Sequence, residues 1–510
     1  MLTGGDKSDL QRKNTLLRNA LAITAFSLCV KFMGMLFRLY LTGRIGTEGM
    51  GLYQLIMSVY GLFTTLATAG LTVTVSGLAS ERIITDGTGA GRLLLRRAVR
   101  LSLLISIPAG ALMFAGADIA AARFIGEAGT ALPLRILSVS MPFMAAAACF
   151  KGWFFAISKP LKPSFASLLE QTVKISVTLL LLGAFMKGKS DPVSLCTGTV
   201  WGITLGEIFS TSLLLFMYLF KTKKEPVPKS YAREYDRDIR RVCFPIGASA
   251  CMTGALHTCE SVLIPKMLML YGGDYQSALS DFGIIRGMAI PLLFFPFSFL
   301  SALISVTVPE ISKLKALKST EALKERTSKI LTYGWIFSVA VGGMFFMFPH
   351  IYGEAFYRTD QATRAIRILA AVTPMMYIET ITDGMLKSIG QQMWTFLTGI
   401  INSTLRITAV VFLIPKSGAE GYLWLLVVSN IFSYIMCAYR MRKTAGTRTK
   451  PFWGVILPVL SCISGGALAY AVEKTSIGIY PKTVLITTVY LGASASVYLI
   501  FEKIWKACNT

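Results

Sequence analysis

Lys31 and Arg38 stand seven residues apart in a stretch, 16–42, that is predominantly apolar and contains no acidic residue. On a helix that spacing puts both cations on one side, two turns apart. Lys174, Arg286 and Arg406 fall in further apolar stretches, Arg406 near the centre of its own. Ammonium and guanidinium groups so placed attract anionic oxygen, and the planar fork of arginine matches two phosphate oxygens at once. If these five side chains converge, they form a cationic chamber suited to a phosphate or pyrophosphate. The alternative is ion pairing with Glu207, Glu260 and Glu379. Glu170 and Lys174, four apart on one helical face, can also pair with each other. Glu170, Glu207, Glu260 and Asn402 are therefore read as ion-pair or ion-coupling positions.

The elements that carry these groups must be membrane helices. Of 510 residues, 54% are hydrophobic and 15% charged, and the mean hydropathy of +0.59 exceeds what a soluble domain of this size can bury. Runs of roughly 20 apolar residues recur, each enough to cross a hydrocarbon core of about 30 Å as a helix. The expected spans are 16–42, 50–77, 97–116, 132–157, 164–186, 195–220, 242–270, 284–309, 330–349, 364–388, 393–415, 419–439, 452–472 and 482–502. The fold class is thus an all-α polytopic membrane protein of about 14 transmembrane helices. The first run is too long for a signal-peptide core and lacks a small-residue cleavage site, so it is read as helix 1.

About 33 of the 51 Lys and Arg fall on one side of these spans and about 10 on the other, which sets both termini in the cytoplasm. The formal charge of +24 is distributed between spans and not along one face, which excludes a nucleic-acid surface. Cys243, Cys251 and Cys259 recur every eight residues, a packing spacing and not a zinc one. With only two histidines, and outer loops too short for a catalytic domain, no catalytic, metal or cofactor residue is assigned. Lys151 and Lys266, near span ends, are expected to snorkel to the interface.

A weak parallel repeat runs through the chain. Leu71-Thr-Val-Thr-Val75 recurs as Ile304-Ser-Val-Thr-Val308, and Glu170-Gln-Thr-Val-Lys-Ile175 as Asn402-Ser-Thr-Leu-Arg-Ile407, at offsets of 233 and 232. The implied plan is an N-lobe of six helices over 1–220, a basic cytoplasmic linker over 221–241, a six-helix C-lobe over 242–440, and two added helices over 441–510. Parallel halves around a central site are a recurrent transporter plan. Gly198, Gly202 and Gly206 form a small-residue stripe that suits close helix packing. Pro291 and Pro296 interrupt helix 8 as either a fixed bend or a gating hinge.

Lys31-Phe-Met-Gly34-Met-Leu-Phe-Arg38, followed by Gly46-Thr-Glu-Gly-Met-Gly-Leu-Tyr-Gln54, resembles the start of the stage V sporulation protein B-like family. That family belongs to the polysaccharide-exporter branch of the MOP flippase superfamily. Arg286-Gly-Met-Ala-Ile-Pro291 and Pro309-Glu-Ile-Ser-Lys313 are similar to the helix 8 pattern of MurJ-type lipid II flippases. The resemblance implies a MOP/MATE-like fold in a bacterial cytoplasmic membrane, working by alternating access. Its cargo would be a lipid II-like peptidoglycan precursor or related polysaccharide intermediate on undecaprenyl pyrophosphate, with a role in spore cortex synthesis. Membrane lipids and cell-wall synthesis enzymes are the implied partners. Arg286 matches the family's cavity arginine, Lys31 a basic position on helix 1, and Arg38 lies one residue from the second such position. One departure is present. Some MurJ-type proteins bind sodium through an acidic residue on helix 7 and an Asn followed four residues later by Asp; here Asn402 is followed by Arg406, whose charge would repel sodium. A proton or the membrane potential is then the expected energy source. The competing readings are a MATE-like drug or cation antiporter, which calls for an acidic cavity, and a membrane glycosyltransferase, which calls for acidic ligands in an outer loop.

Overall fold

The computed structural model describes residues 4–185, 191–220, 232–447, 451–475 and 478–508. Among these the secondary structure is helical throughout: α1 (Gly4–Thr68), α2 (Leu71–Asp86), α3 (Thr88–Ala115), α4 (Ala131–Ala156), α5 (Leu161–Leu180), α6 (Pro192–Leu219) and α7 (Ala232–Gly272). There follow α8 (Tyr275–Phe294), α9 (Phe297–Ala316), α10 (Thr320–Met347), α11 (Asp360–Ser388), α12 (Gln392–Ala445), α13 (Phe452–Glu473) and α14 (Ile479–Cys508). Lipid offers no hydrogen bonds, so a spanning backbone must satisfy its own, and these apolar sequences do so as helices.

Twelve helical segments among the described residues are long and apolar enough to cross a membrane, and two of them hold two crossings each. Inside α1, Gly46 takes φ 72 and ψ −175; inside α12, Gly418 takes φ 60 and ψ −150. Glycine adopts positive φ without steric cost, so each breaks its rod where an ordinary residue would continue it. Residues 22–45, 47–68, 392–417 and 419–445 are then separate crossings, which gives the fourteen expected. The expected span 284–309 consists of α8 and α9 with a break at Pro296, where the missing N–H interrupts the ladder. Pro291 lies inside α8, directly after the π-helical turn Gly283–Ala289, where its missing N–H removes a ladder hydrogen bond.

The chain forms two compact units: residues up to Phe37 with Leu52–Val262, and Arg38–Gly51 with Leu263 onward. This grouping differs from the expected lobe boundaries. The first part of α7 belongs to the first unit because Cys243 Sγ donates to Ala69 O at 3.4 Å and Thr258 Oγ1 to Ser58 O at 3.0 Å. Charge reinforces it at the start of α7, where Arg82 meets Glu234 at 3.0 Å and Asp238 at 2.8 Å, and Arg97 meets Asp236 at 3.3 Å. Residues 232–241 of the expected linker are therefore helix docked on α2 and α3, and 221–231 lie outside the described residues. In the second unit, a Cβ on Gly283 would overlap Thr47 O and one on Gly51 would overlap Leu279 O, so 47–51 and α8 cross backbone to backbone. Ser280 Oγ and Thr47 Oγ1 hydrogen-bond at 2.7 Å beside that crossing.

Internal geometry repeats between the units, each second position being the first plus 232. Ser80 Oγ donates to Ala156 O, and Ser312 Oγ to Ser388 O. Proline lies inside a helix at 142 and 374. Positive φ recurs at Gly126 and Arg358, and at Ser158 and Gly390. A Cβ on Gly110 would lie 2.9 Å from Ser138 O, and one on Gly342 3.1 Å from Ala370 O. The parallel repeat is thus built into the packing, well beyond the two matching strings.

Candidate functional site

In the second unit the polar groups centre on α8. Residues Gly283–Ala289 wind as a π-helix, a widened turn that loosens the ordinary ladder, and Arg286 lies within it. Arg286 is half-buried, and its Nε donates to the Tyr422 hydroxyl at 2.6 Å. Tyr422, fully buried on the second half of α12, fixes one edge of the guanidinium. Two more buried tyrosines serve the broken backbone: Tyr357 donates to Met288 O at 2.9 Å, and Tyr377 donates to Leu293 O just before the Pro296 break. Each bond ties a phenol to the backbone of the irregular segment and contributes about 1 kcal/mol to holding it in place. Burial pushes the Tyr357 phenol above its usual range, and the Arg38 charge opposes that shift, which places Arg38 in the same neighbourhood.

Asn402 and Arg406 lie one turn apart on the first half of α12, both half-buried. Asn402 Nδ2 donates to Ser433 Oγ at 3.0 Å, and its Oδ1 accepts from Ser429 Oγ at 3.0 Å. The amide is committed to the second half of the same helix. Glu379 has Asp383 and Lys387 as its charged neighbours, not the basic residues expected to pair with it.

The first unit holds a different set. Lys31 is exposed on α1; three residues on, a Cβ at Gly34 would lie 3.6 Å from Gln171 Nε2. Lys174 Nζ sits 5.7 Å from the centre of the Phe37 ring, a cation–π distance. Glu170 does not pair with Lys174 along its helix; Lys151 Nζ of α4 lies 3.6 Å from its Oε2. The expected snorkelling of Lys151 is corrected by this contact, since the side chain turns inward to a half-buried carboxylate. Glu207 of α6 joins the group electrostatically: the Glu170 carboxyl and the charges of Lys151 and Lys174 all act on it. Lys174 acts on Glu207 through its charge, without an ion pair within 4.0 Å among the described residues. The glycine stripe makes this arrangement: a Cβ on Gly202 would lie 2.8 Å from Lys174 O, and one on Gly206 3.1 Å from Glu170 O. Tyr60, bonded to Ser140 at 2.7 Å, also feels both carboxylates. Glu260 is fully buried on α7, with His257 Nδ1 at 4.0 Å.

Tyr357, Tyr377 and Tyr422 are the groups that sequence reasoning missed. A tyrosine in or beside an apolar span reads as core, and the sequence carried no signal that would have marked these three.

Comparison with known proteins places these features in context. The chain is 21% identical to stage V sporulation protein B of Bacillus subtilis (strain 168) over 517 aligned residues, covering 97% of this chain and 96% of that one. Its fold matches lipid II flippase MurJ in an inward closed conformation with a TM-score of 0.72 at 13% identity, covering 95% of this chain and 98% of that one. An inward-facing multidrug resistance MATE family transporter of the MOP superfamily matches with a TM-score of 0.65 at 16% identity, over 84% of this chain and 98% of the other. The family profile described as "Polysaccharide biosynthesis protein" matches residues 16–315, more than half the chain. The chain is therefore a polytopic helical member of the polysaccharide biosynthesis protein family.

Proposed function

We propose that this protein is a flippase that moves an undecaprenyl-pyrophosphate-linked sugar, a peptidoglycan precursor or related polysaccharide intermediate, across the bacterial cytoplasmic membrane by alternating access. The observation that carries the reading is Arg286: a half-buried guanidinium in the outer part of a span, presented by a π-helical turn and oriented by Tyr422. An arginine so costly to keep in lipid is retained where it faces an anionic ligand or an aqueous path. Lys31, Arg38, Lys174 and Arg406 are the other side chains assigned to the pyrophosphate. Glu170 and Glu207, close enough for each carboxyl to act on the other, are the coupling candidates, and Glu260 and Asn402 lack the acidic companion that a sodium site of the kind described above requires. Both termini face the cytoplasm in this reading, and the substrate is transported, not chemically altered.

The test is translocation in proteoliposomes with lipid II beside other undecaprenyl-linked sugars, with and without sodium. Changing Lys31, Arg286 and Arg406 singly to Ala should each cut the rate at least about tenfold, the order expected for losing a charge-assisted phosphate contact. Unimpaired flipping in all three variants overturns the cationic-site mechanism. A second reading is supported by the carboxyl pair in the first unit: exchange of a cationic drug against protons. Uptake of an organic cation with no movement of any lipid-linked sugar would favour it.

A further inference from the structure

Away from the groups assigned to transport, the second unit contains a cavity of about 830 Å³ where α9 ends, α10 begins and α12 ends. Lys315, Lys318, Lys324 and Arg442 line it, and Glu321 is its one carboxylate. Lys324 lies 3.2 Å from that carboxylate. Lys315, Lys318 and Arg442 have no carboxylate within 4.0 Å among the described residues, so the cavity keeps an uncompensated charge of three. The first turn of α10 opens into the same space: Ser319, its N-cap, makes no side-chain cap, and Thr320 and Glu321 line the wall. Uncapped N–H groups at the start of a 28-residue helix add a partial positive charge to the cations.

The remaining surface is apolar. Leu323 and Ala445 are buried beneath the cavity, and Leu317, between two lining residues, exposes 65% of its area. Basic rim, apolar floor and exposed leucine occur together where α10 passes from its charged first turns into an apolar run. That position immediately precedes the expected span 330–349, on the side where Lys and Arg are concentrated. A bare phosphate would leave most of 830 Å³ unfilled, whereas a headgroup fills it and continues into chains that Leu317 can meet. Basic pockets between membrane helices on the cytoplasmic side are suited to anionic headgroups.

We infer that this cavity binds the headgroup of an anionic phospholipid of the inner leaflet, with Lys315, Lys318 and Arg442 on its phosphate and Leu323 beneath it. The site is independent of the residues assigned to transport. The test uses the full-length protein in a neutral detergent, with phosphatidylglycerol and phosphatidylcholine as probes and retained lipid counted by native mass spectrometry. The wild type should retain phosphatidylglycerol in preference to phosphatidylcholine. The triple variant Lys315→Gln, Lys318→Gln, Arg442→Gln should retain it about tenfold less, while the charge-matched control Arg96→Gln, Arg100→Gln, Arg241→Gln, at three exposed positions elsewhere, retains it fully. Glu321→Gln, which removes the only opposing charge, should increase retention; an unfolded protein would not show that gain. Equal loss in triple variant and control, or equal retention of both lipids, would each overturn the assignment to a phospholipid.

Discussion

Ser80 in the first unit and Ser312 in the second each donate to a carbonyl 76 residues further on, and the two contacts differ only by 0.3 Å, at 3.4 and 3.1 Å. At the charged positions the likeness ends. Under the same offset Lys151 faces Asp383, Glu170 faces Asn402, Glu207 faces Tyr439, and only Lys174 keeps its charge type, in Arg406. The first unit thus has carboxyls ringed by lysines, and the second a neutral amide tied to two serines beside a fixed cation. Packing contacts tolerate little change because every neighbour must change with them. Side chains facing a ligand or one another can be exchanged with fewer consequences. The repeat therefore separates what positions the helices from what the helices present, and the cation shared by 174 and 406 is the chemistry that both halves retain.

The strongest way to break this comparison is at the twin glycines. Gly110→Val and Gly342→Val each place side-chain atoms against a carbonyl already within contact of a single Cβ. Each should lower stability by about 3 kcal/mol, the upper range for forced overpacking, and the loss is read as a fall in the thermal unfolding midpoint in detergent. Matching losses would confirm equivalent packing; a loss confined to one glycine would show that the shared offset is only nominal there.

Such twins show what could be read from the sequence. Hydropathy gave the fourteen crossings because lipid forces every spanning run to be helical. The offset was visible in 71–75 against 304–308, where similar residues follow one another. Ser80 and Ser312 were not, since Glu81-Arg82 has become Lys313-Leu314 around an unchanged contact. Pairing along one helix was also legible, and it misled: Glu170 has Lys174 four residues on, yet its carboxylate meets Lys151 from another helix. Likewise the tyrosines at 357 and 377 bond carbonyls of the broken and widened α8, and Tyr422 accepts from Arg286, contacts that no spacing rule announces.

A smaller effect is expected where the units differ in charge. Lys151→Met leaves the Glu170 and Glu207 carboxyls with one cation fewer. The Lys151 and Glu170 side chains retain 27% and 24% of their exposure, so the cost should be roughly 2 kcal/mol, below that of a fully buried pair. Adding Glu170→Gln should recover most of it by removing the charge left behind. At the twin position Asp383→Asn loses only a pair whose lysine, Lys387, is 55% exposed, and under about 1 kcal/mol should follow. Unfolding midpoints of the four proteins decide it: equal costs at 151 and 383 would mean that the two sites are not chemically distinct.

The smallest effect tests the likeness itself. Ser80→Ala and Ser312→Ala each delete one side-chain-to-backbone bond, with an expected cost of about 0.5–1 kcal/mol, the greater for Ser312 because its bond is shorter. Neither serine shares a partner with the other, so the double variant should lose the sum of the two within about 0.5 kcal/mol. Additivity would mean that each unit maintains its helix pair separately, as two copies of one packing solution do. A double loss well short of the sum would mean that the units unfold in sequence, the weaker one already open when the second serine is removed, and the unfolding curve should then separate into two steps.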